Sequence, residues 1–269
     1  MSSIKINSNE KLIFAFSFLS FLISFVLIRL SGFSSSTVVN MENYMIRSII
    51  LQTSGSTLGA IYLFLSPFYT IILSLCFFVL GISILCYYGY SNKDSDTGKI
   101  LGIVSGIFAL ILFPTIAGAF IALSVFVCCV YSTKLSNAYS KELKKWVFFR
   151  VGSNTTGRIL FVTNIIIVVG IFTAILANQQ IYAVSFRQDL TATMKSLAIA
   201  LPGASAIPSD VLNERIASTV NSSQLIKSYI IWLPATTAFT VWVILEFLRN
   251  ILLANIGGVF TYIMLRRNK

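Results

Sequence analysis

Glu246 and Arg249, three residues apart in the stretch Leu245 to Asn250, come nearest of any pair in this chain to chemistry inside an apolar segment. A step of three along a helix brings two side chains onto one face, so the carboxylate and the guanidinium can pair, with Asn250 next to them. Such a pair reads either as a locally compensated charge or as an ion- or proton-handling carboxylate at membrane depth. Glu246 lies about 17 residues beyond Tyr229, where its apolar run begins, and at 1.5 Å per residue it is expected near the inner headgroups.

Other chemistries find little material. The chain has no histidine, so no imidazole base, and no paired carboxylates lie within an apolar segment. A serine or cysteine nucleophile needs a Lys or Asp partner, and none lies in the apolar middle of any long run. Cys76, Cys86, Cys128 and Cys129 all sit in apolar runs without CxxC spacing. They read as inert buried thiols, and neither a zinc site nor any cofactor is expected. "GSNTTGR", Gly152 to Arg158, superficially resembles a phosphate-binding loop. Arg158 occupies the lysine position, however, and Ile159 stands where Ser or Thr is needed. A turn fits better, with Ser153, Asn154 or Thr155 capping the helix that follows. No family's diagnostic motifs are present, and the residues point away from an enzyme.

The elements that must position these residues follow from composition. Of 269 residues, 56% are hydrophobic and 11% charged, too little polar side chain to cover a water-soluble globule. The formal charge of +11 is gathered on the flanks of apolar runs rather than in a stripe, which excludes nucleic acid and follows the positive-inside rule. An apolar helix needs about 20 residues to cross the hydrocarbon core. Leu12–Leu30, Ile100–Val130, Ile159–Ala177 and Tyr229–Leu253 meet this length, and Leu58–Tyr88, with Pro67, is long for one crossing. The first run exceeds the roughly 7–15 residues of a signal peptide's apolar region and is read as a retained helix. The fold expected is therefore an all-α, polytopic membrane bundle.

The connection Tyr131 to Arg158 carries Lys134, Lys141, Lys144, Lys145, Arg150 and Arg158 against Glu142, which assigns it to the cytoplasmic side. The tail with Arg266, Arg267 and Lys269 lands on that side as well, and residues 178–228 fall outside. Five crossings put Lys5 and Lys11 outside, against the charge rule. A sixth would bring them in, either through Met45–Leu65 or through a bend at Pro114 that returns Ile100–Val130 to the side it left. Five crossings are the expectation and six the alternative. The chain then divides into a membrane bundle (1–177) with a basic loop (131–158), an extracytoplasmic helical connection (178–228), and a last helix with a basic tail (229–269).

Three surfaces remain. Gly98, Gly102 and Gly106 continue at the same step through Leu110 and Pro114 to Gly118 and Ala122, a small-residue strip on one helix, with Gly55 and Gly59 as a second candidate surface. Close packing inside the bundle is expected; a self-association seam or a hinge at Pro114 are the alternatives. Leu135, Tyr139, Leu143 and Trp146 recur at helical steps among lysines (Lys134, Lys141, Lys144, Lys145), the pattern of a basic helix lying on an anionic inner leaflet. In the outer connection Tyr182, Phe186, Leu190, Met194, Leu197 and Leu201 define one apolar face, ended by Pro202-Gly203, and Val211, Leu212, Ile216 and Val220 a second, shorter helix. These two are expected to pack together. The functional expectation is a non-enzymatic structural or accessory subunit of a membrane complex, in the plasma membrane and able to form homo- or hetero-oligomers. A small transporter or channel is the alternative.

Overall fold

In the computed structural model the described residues are 8–32, 35–40, 57–91, 97–200 and 209–267, and every element among them is a helix. In chain order these are α1 (Ser8–Leu30), α2 (Ser35–Val39), α3 (Thr57–Ser91), α4 (Thr97–Leu112), α5 (Ile116–Glu142) and α6 (Val147–Ala177). Then follow α7 (Gln179–Ala200), α8 (Ser209–Ser222), α9 (Gln224–Leu248), a π-helical turn (Arg249–Leu253) and α10 (Ala254–Arg267). Five stretches of the described residues are long and apolar enough to cross a membrane: Glu10–Leu30, Tyr69–Ser91, Ile116–Glu142, Val147–Ala177 and Gln224–Arg267. In lipid a backbone must satisfy its own polar groups, and helices dominated by Leu, Ile, Phe and Ala do so within one segment.

Ile100–Val130, expected as one helix, is instead a helical hairpin. α4 ends at Leu112 and α5 begins at Ile116. Pro114 lacks an N–H and disfavours helical backbone at Phe113, while Thr115, extended at φ −136° and ψ 166°, caps the new helix by accepting from the Gly118 N–H at 3.1 Å. The small-residue strip therefore does not run along one helix. It folds on itself, so that Gly106 faces Ala122 on the returning strand of the hairpin.

At the end of the chain the last helix runs on. Ile251–Leu265, too short to span by itself, continues α9 without a break, giving 44 helical residues from Gln224 to Arg267. Gly257-Gly258 does not interrupt it, because both glycines are buried against α6. Glu246 is consequently some 21 residues, about 32 Å of helix, from Arg267.

Two loop expectations also become helix. Tyr131–Glu142 is the last part of α5 rather than a separate surface helix; Leu135 packs toward the core and the Ser136 hydroxyl donates to the Cys86 carbonyl at 2.6 Å. Leu143 and Trp146 lie beyond its end, so the four residues of the expected amphipathic face do not share a helix. "GSNTTGR" lies inside α6, where its small residues admit a neighbouring backbone.

The chain forms two compact units that interleave along the sequence. The first comprises Met1–Ser31, Thr70–Gly170 and Thr240–Lys269. Its core joins Phe21 and Phe25 of α1 to Phe78, Val79, Ile82 and Leu85 of α3, Leu101 of α4 and Val125, Cys128 and Cys129 of α5. Phe21 meets Phe78 edge-on at 5.3 Å, and Ser24 and Ser74, both buried, share a hydrogen bond of 2.9 Å. The second unit comprises Gly32–Tyr69 and Ile171–Phe239. Here the expected inward face of α7, Tyr182, Phe186, Leu190 and Met194, packs with Ile216 and Val220 of α8 and with Ile226, Ile230 and Leu233 of α9. Leu197 and Val211, expected on these inward faces, are instead exposed, and Leu201 lies outside the described residues.

Candidate functional site

The polar centre of the first unit is built on α6, α9 and the turn after α9. Arg249 and Glu246 form an ion pair at 2.6 Å, with side chains 19% and 14% exposed. The Asn164 side-chain amide, from the middle of α6, donates to the other Glu246 oxygen at 2.9 Å. Arg249 also donates to the Gly157 carbonyl at 3.3 Å and stacks over the Phe161 ring at 5.1 Å from its centroid. The pair is thus compensated on both sides: the carboxylate by a cation and an amide, the cation by a carboxylate, a carbonyl and an aromatic face. The sequence points to Glu246 and Arg249; Asn164 is the lone side-chain amide in Ile159–Ala177, and its partner 82 residues away cannot be read from spacing. Directly after the pair, the Ala254 N–H bonds the Arg249 carbonyl, the bond that closes the π-helical turn.

The glycines mark where helix backbones meet. A Cβ built on Gly98 would lie 2.7 Å from the Cys129 carbonyl oxygen; on Gly102, 3.2 Å from that of Phe126; on Gly106, 3.4 Å from that of Ala122. Ascending residues on α4 face descending ones on α5, so the hairpin is antiparallel and its approach is closest at the open end. Gly118 is not part of this seam and closes instead on the Phe113 carbonyl inside the turn. Gly55 lies outside the described residues, and of Gly59 only its place in the first turn of α3 is described.

Sequence reading missed a second seam. Gly152 of α6 abuts Thr261 and Gly257 of α10, Gly257 abuts Thr156, and Gly258 abuts the Phe149 ring. The signal was present in Gly257-Gly258 and in the small residues of Gly152–Gly157, but the latter read as a turn. Gly89, packed on the Thr133 backbone, joins α3 to α5 in the same way. Within the second seam the buried hydroxyls of Thr156 and Thr261 have no hydrogen-bond partner among the described residues.

Basic residues cluster along the chain at the end of α5 and in its connection to α6. Lys134 lies 6.0 Å from the Tyr131 ring centroid; Lys141, Lys144 and Lys145 are exposed. Trp146 is 79% exposed and has a left-handed backbone, φ 54°. It borders a pocket of about 330 Å³ lined by Tyr90, Val147, Phe148, Phe149 and Tyr262 as well. The cysteines lie elsewhere: Cys86, Cys128 and Cys129 are buried, Cys76 is partly so, and all four are free thiols. No three His, Cys, Asp or Glu side chains among the described residues gather into a metal-binding group.

No family model matches the chain, and neither a curated protein nor a solved structure does.

Proposed function

We propose that the chain is a non-enzymatic integral membrane protein that serves as a structural or accessory subunit of a membrane complex. One observation carries this reading: Glu246, the acid inside the last apolar run, is engaged by Arg249 at 2.6 Å and by Asn164 at 2.9 Å. A carrier must offer such groups to its cargo, whereas here they hold two helices together. The glycine seams support the same reading, since backbones in contact leave no lining for a solute between them.

In this reading the α4–α5 hairpin enters and leaves the membrane on one side, so the chain crosses six times. The N-terminus with Lys5 and Lys11, residues 131–158 and the C-terminus then share the cytoplasmic side of the plasma membrane, in accord with the charge rule. Residues 178–228 are extracytoplasmic. There α7, which carries Arg187, Asp189 and Lys195, exposes Ile181, Val184 and Ile199 while its opposite face packs inward. This is the surface assigned to a partner protein.

A second reading, a small transporter or channel, draws on the π-helical turn beside the ion pair, because such turns recur at functional sites. Reconstitution of the purified chain into liposomes separates the two. The subunit reading predicts no ion or solute flux from the chain by itself. A selective flux abolished by Glu246→Gln would overturn it in favour of transport.

A further inference from the structure

The pocket beside Trp146 has a composition that the subunit role does not explain. It draws Tyr90 from the end of α3, Trp146 and Phe148 from the start of α6, and Tyr262 from the last turns of α10. Tyr90 and Phe148 meet edge-on at 5.8 Å, fixing one wall. Trp146 stands outward on a left-handed backbone.

Around this aromatic lining the charge is mainly positive. The Arg266 guanidinium donates to the Tyr262 hydroxyl at 3.3 Å and lies 5.9 Å from that ring's centroid. Lys144 and Lys145 immediately precede Trp146, and the Arg150 N–H bonds the Trp146 carbonyl at 2.9 Å, placing Arg150 one turn on. Lys141 and Arg267 add to these, and Glu142 is the acid among them.

We propose that this pocket is a binding site for an anionic phospholipid. The headgroup phosphate is held by Arg266 and Lys145, and the glycerol and first acyl carbons lie against Trp146 and Tyr262. An aromatic wall bordered by cations fits an occupant that is apolar in its body and anionic at its head, which a soluble anion and a zwitterionic lipid each satisfy only by half. The volume of about 330 Å³ suits a headgroup with the beginning of its chains rather than a whole lipid. The proposal rests on the chain being a membrane protein and is independent of the subunit role, so a flux result leaves it standing.

The test uses the full chain with Trp232→Phe and Trp242→Phe, which leaves Trp146 as the remaining tryptophan of three. Reconstituted into phosphatidylcholine vesicles, it is titrated with brominated phosphatidylglycerol or brominated phosphatidylcholine, and quenching of Trp146 is read. The expected result is a relative affinity about tenfold or more in favour of phosphatidylglycerol, falling about fivefold for each of Arg266→Gln and Lys145→Gln. Equal quenching by the two lipids, or a preference unchanged in both variants, overturns the proposal. So does full protection by millimolar inorganic phosphate, which would assign the site to a soluble anion. Native mass spectrometry of the unaltered chain, with phosphatidylglycerol retained over phosphatidylcholine as the expected result and equal retention as the contrary one, covers the case in which the tryptophan replacements prevent folding.

Discussion

Three alanine substitutions in the hairpin should differ in effect although they replace the same residue with the same residue on one helix face. Each removes a helical glycine, which by itself favours the helix by about 1 kcal/mol at the interior positions Gly102 and Gly106 and by less at Gly98, the second residue of α4. Opposing this is the space for one methyl group. At Gly106 the new Cβ would sit 3.4 Å from the Ala122 carbonyl oxygen, an ordinary contact, so the propensity gain survives. At Gly102 it would meet the Phe126 ring at 3.0 Å and the Phe126 backbone at 3.2 Å; the ring can rotate and the backbone must give slightly, so the two effects nearly cancel. At Gly98 it would lie 2.7 Å from the Cys129 carbonyl oxygen, and α4 must move away from α5 by roughly half an ångström or more, an overpacking cost of about 1–3 kcal/mol. The expected order is Gly106→Ala more stable than the parent by about 0.5 kcal/mol, Gly102→Ala near the parent, and Gly98→Ala less stable by about 1 kcal/mol. Equilibrium unfolding in mixed detergent micelles, followed by tryptophan fluorescence, reads all three on one scale. If Gly98→Ala matches or exceeds Gly106→Ala in stability, the antiparallel α4–α5 seam is wrong.

Other consequences are more briefly put. Glu246→Gln should lower stability by about 2 kcal/mol, between the value of an exposed pair and that of a fully buried one, because Arg249 keeps Gly157 and Phe161 but loses its counter-charge. The double variant Glu246→Gln with Arg249→Gln should recover part of that loss in the same unfolding assay, and additive losses would contradict the pairing. Thr156→Val, which removes a buried hydroxyl that has no partner among the described residues while keeping its shape, should be neutral or stabilising by up to about 1 kcal/mol. A loss of comparable size would show that the hydroxyl is satisfied. In a microsomal translocation assay Asn221, exposed near the end of α8 in Asn-Ser-Ser, should accept a glycan and Asn154 in Asn-Thr-Thr should not; the reverse pattern would invert the proposed topology.

The sequence spoke clearly where length and composition decide. Apolar runs of about 20 residues located helices long and apolar enough to cross a membrane, and the four-residue steps of Tyr182, Phe186, Leu190 and Met194 gave the inward face of α7. It misled where a small residue has two uses. Pro114 was legible as a break, and Thr115 after it is a good cap, but an uncharged run of 31 residues from Ile100 to Val130 also suits a single tilted helix. The seam itself, and not the run, shows that the chain turns back. Gly152 reads as part of a turn, whereas its role, with Gly257, is to let α6 and α10 touch. The partner of Asn164 was invisible because no local pattern relates residues 164 and 246.

The most direct test of the subunit role is the native mass of the chain after gentle extraction and cross-linking, with identification of everything that travels with it. A stoichiometric second polypeptide is expected, lost when Ile181 and Val184, two of the exposed apolar residues of α7, are both replaced by glutamate. A monomer or homo-oligomer with no companion, in a preparation that retains its lipids, would contradict it.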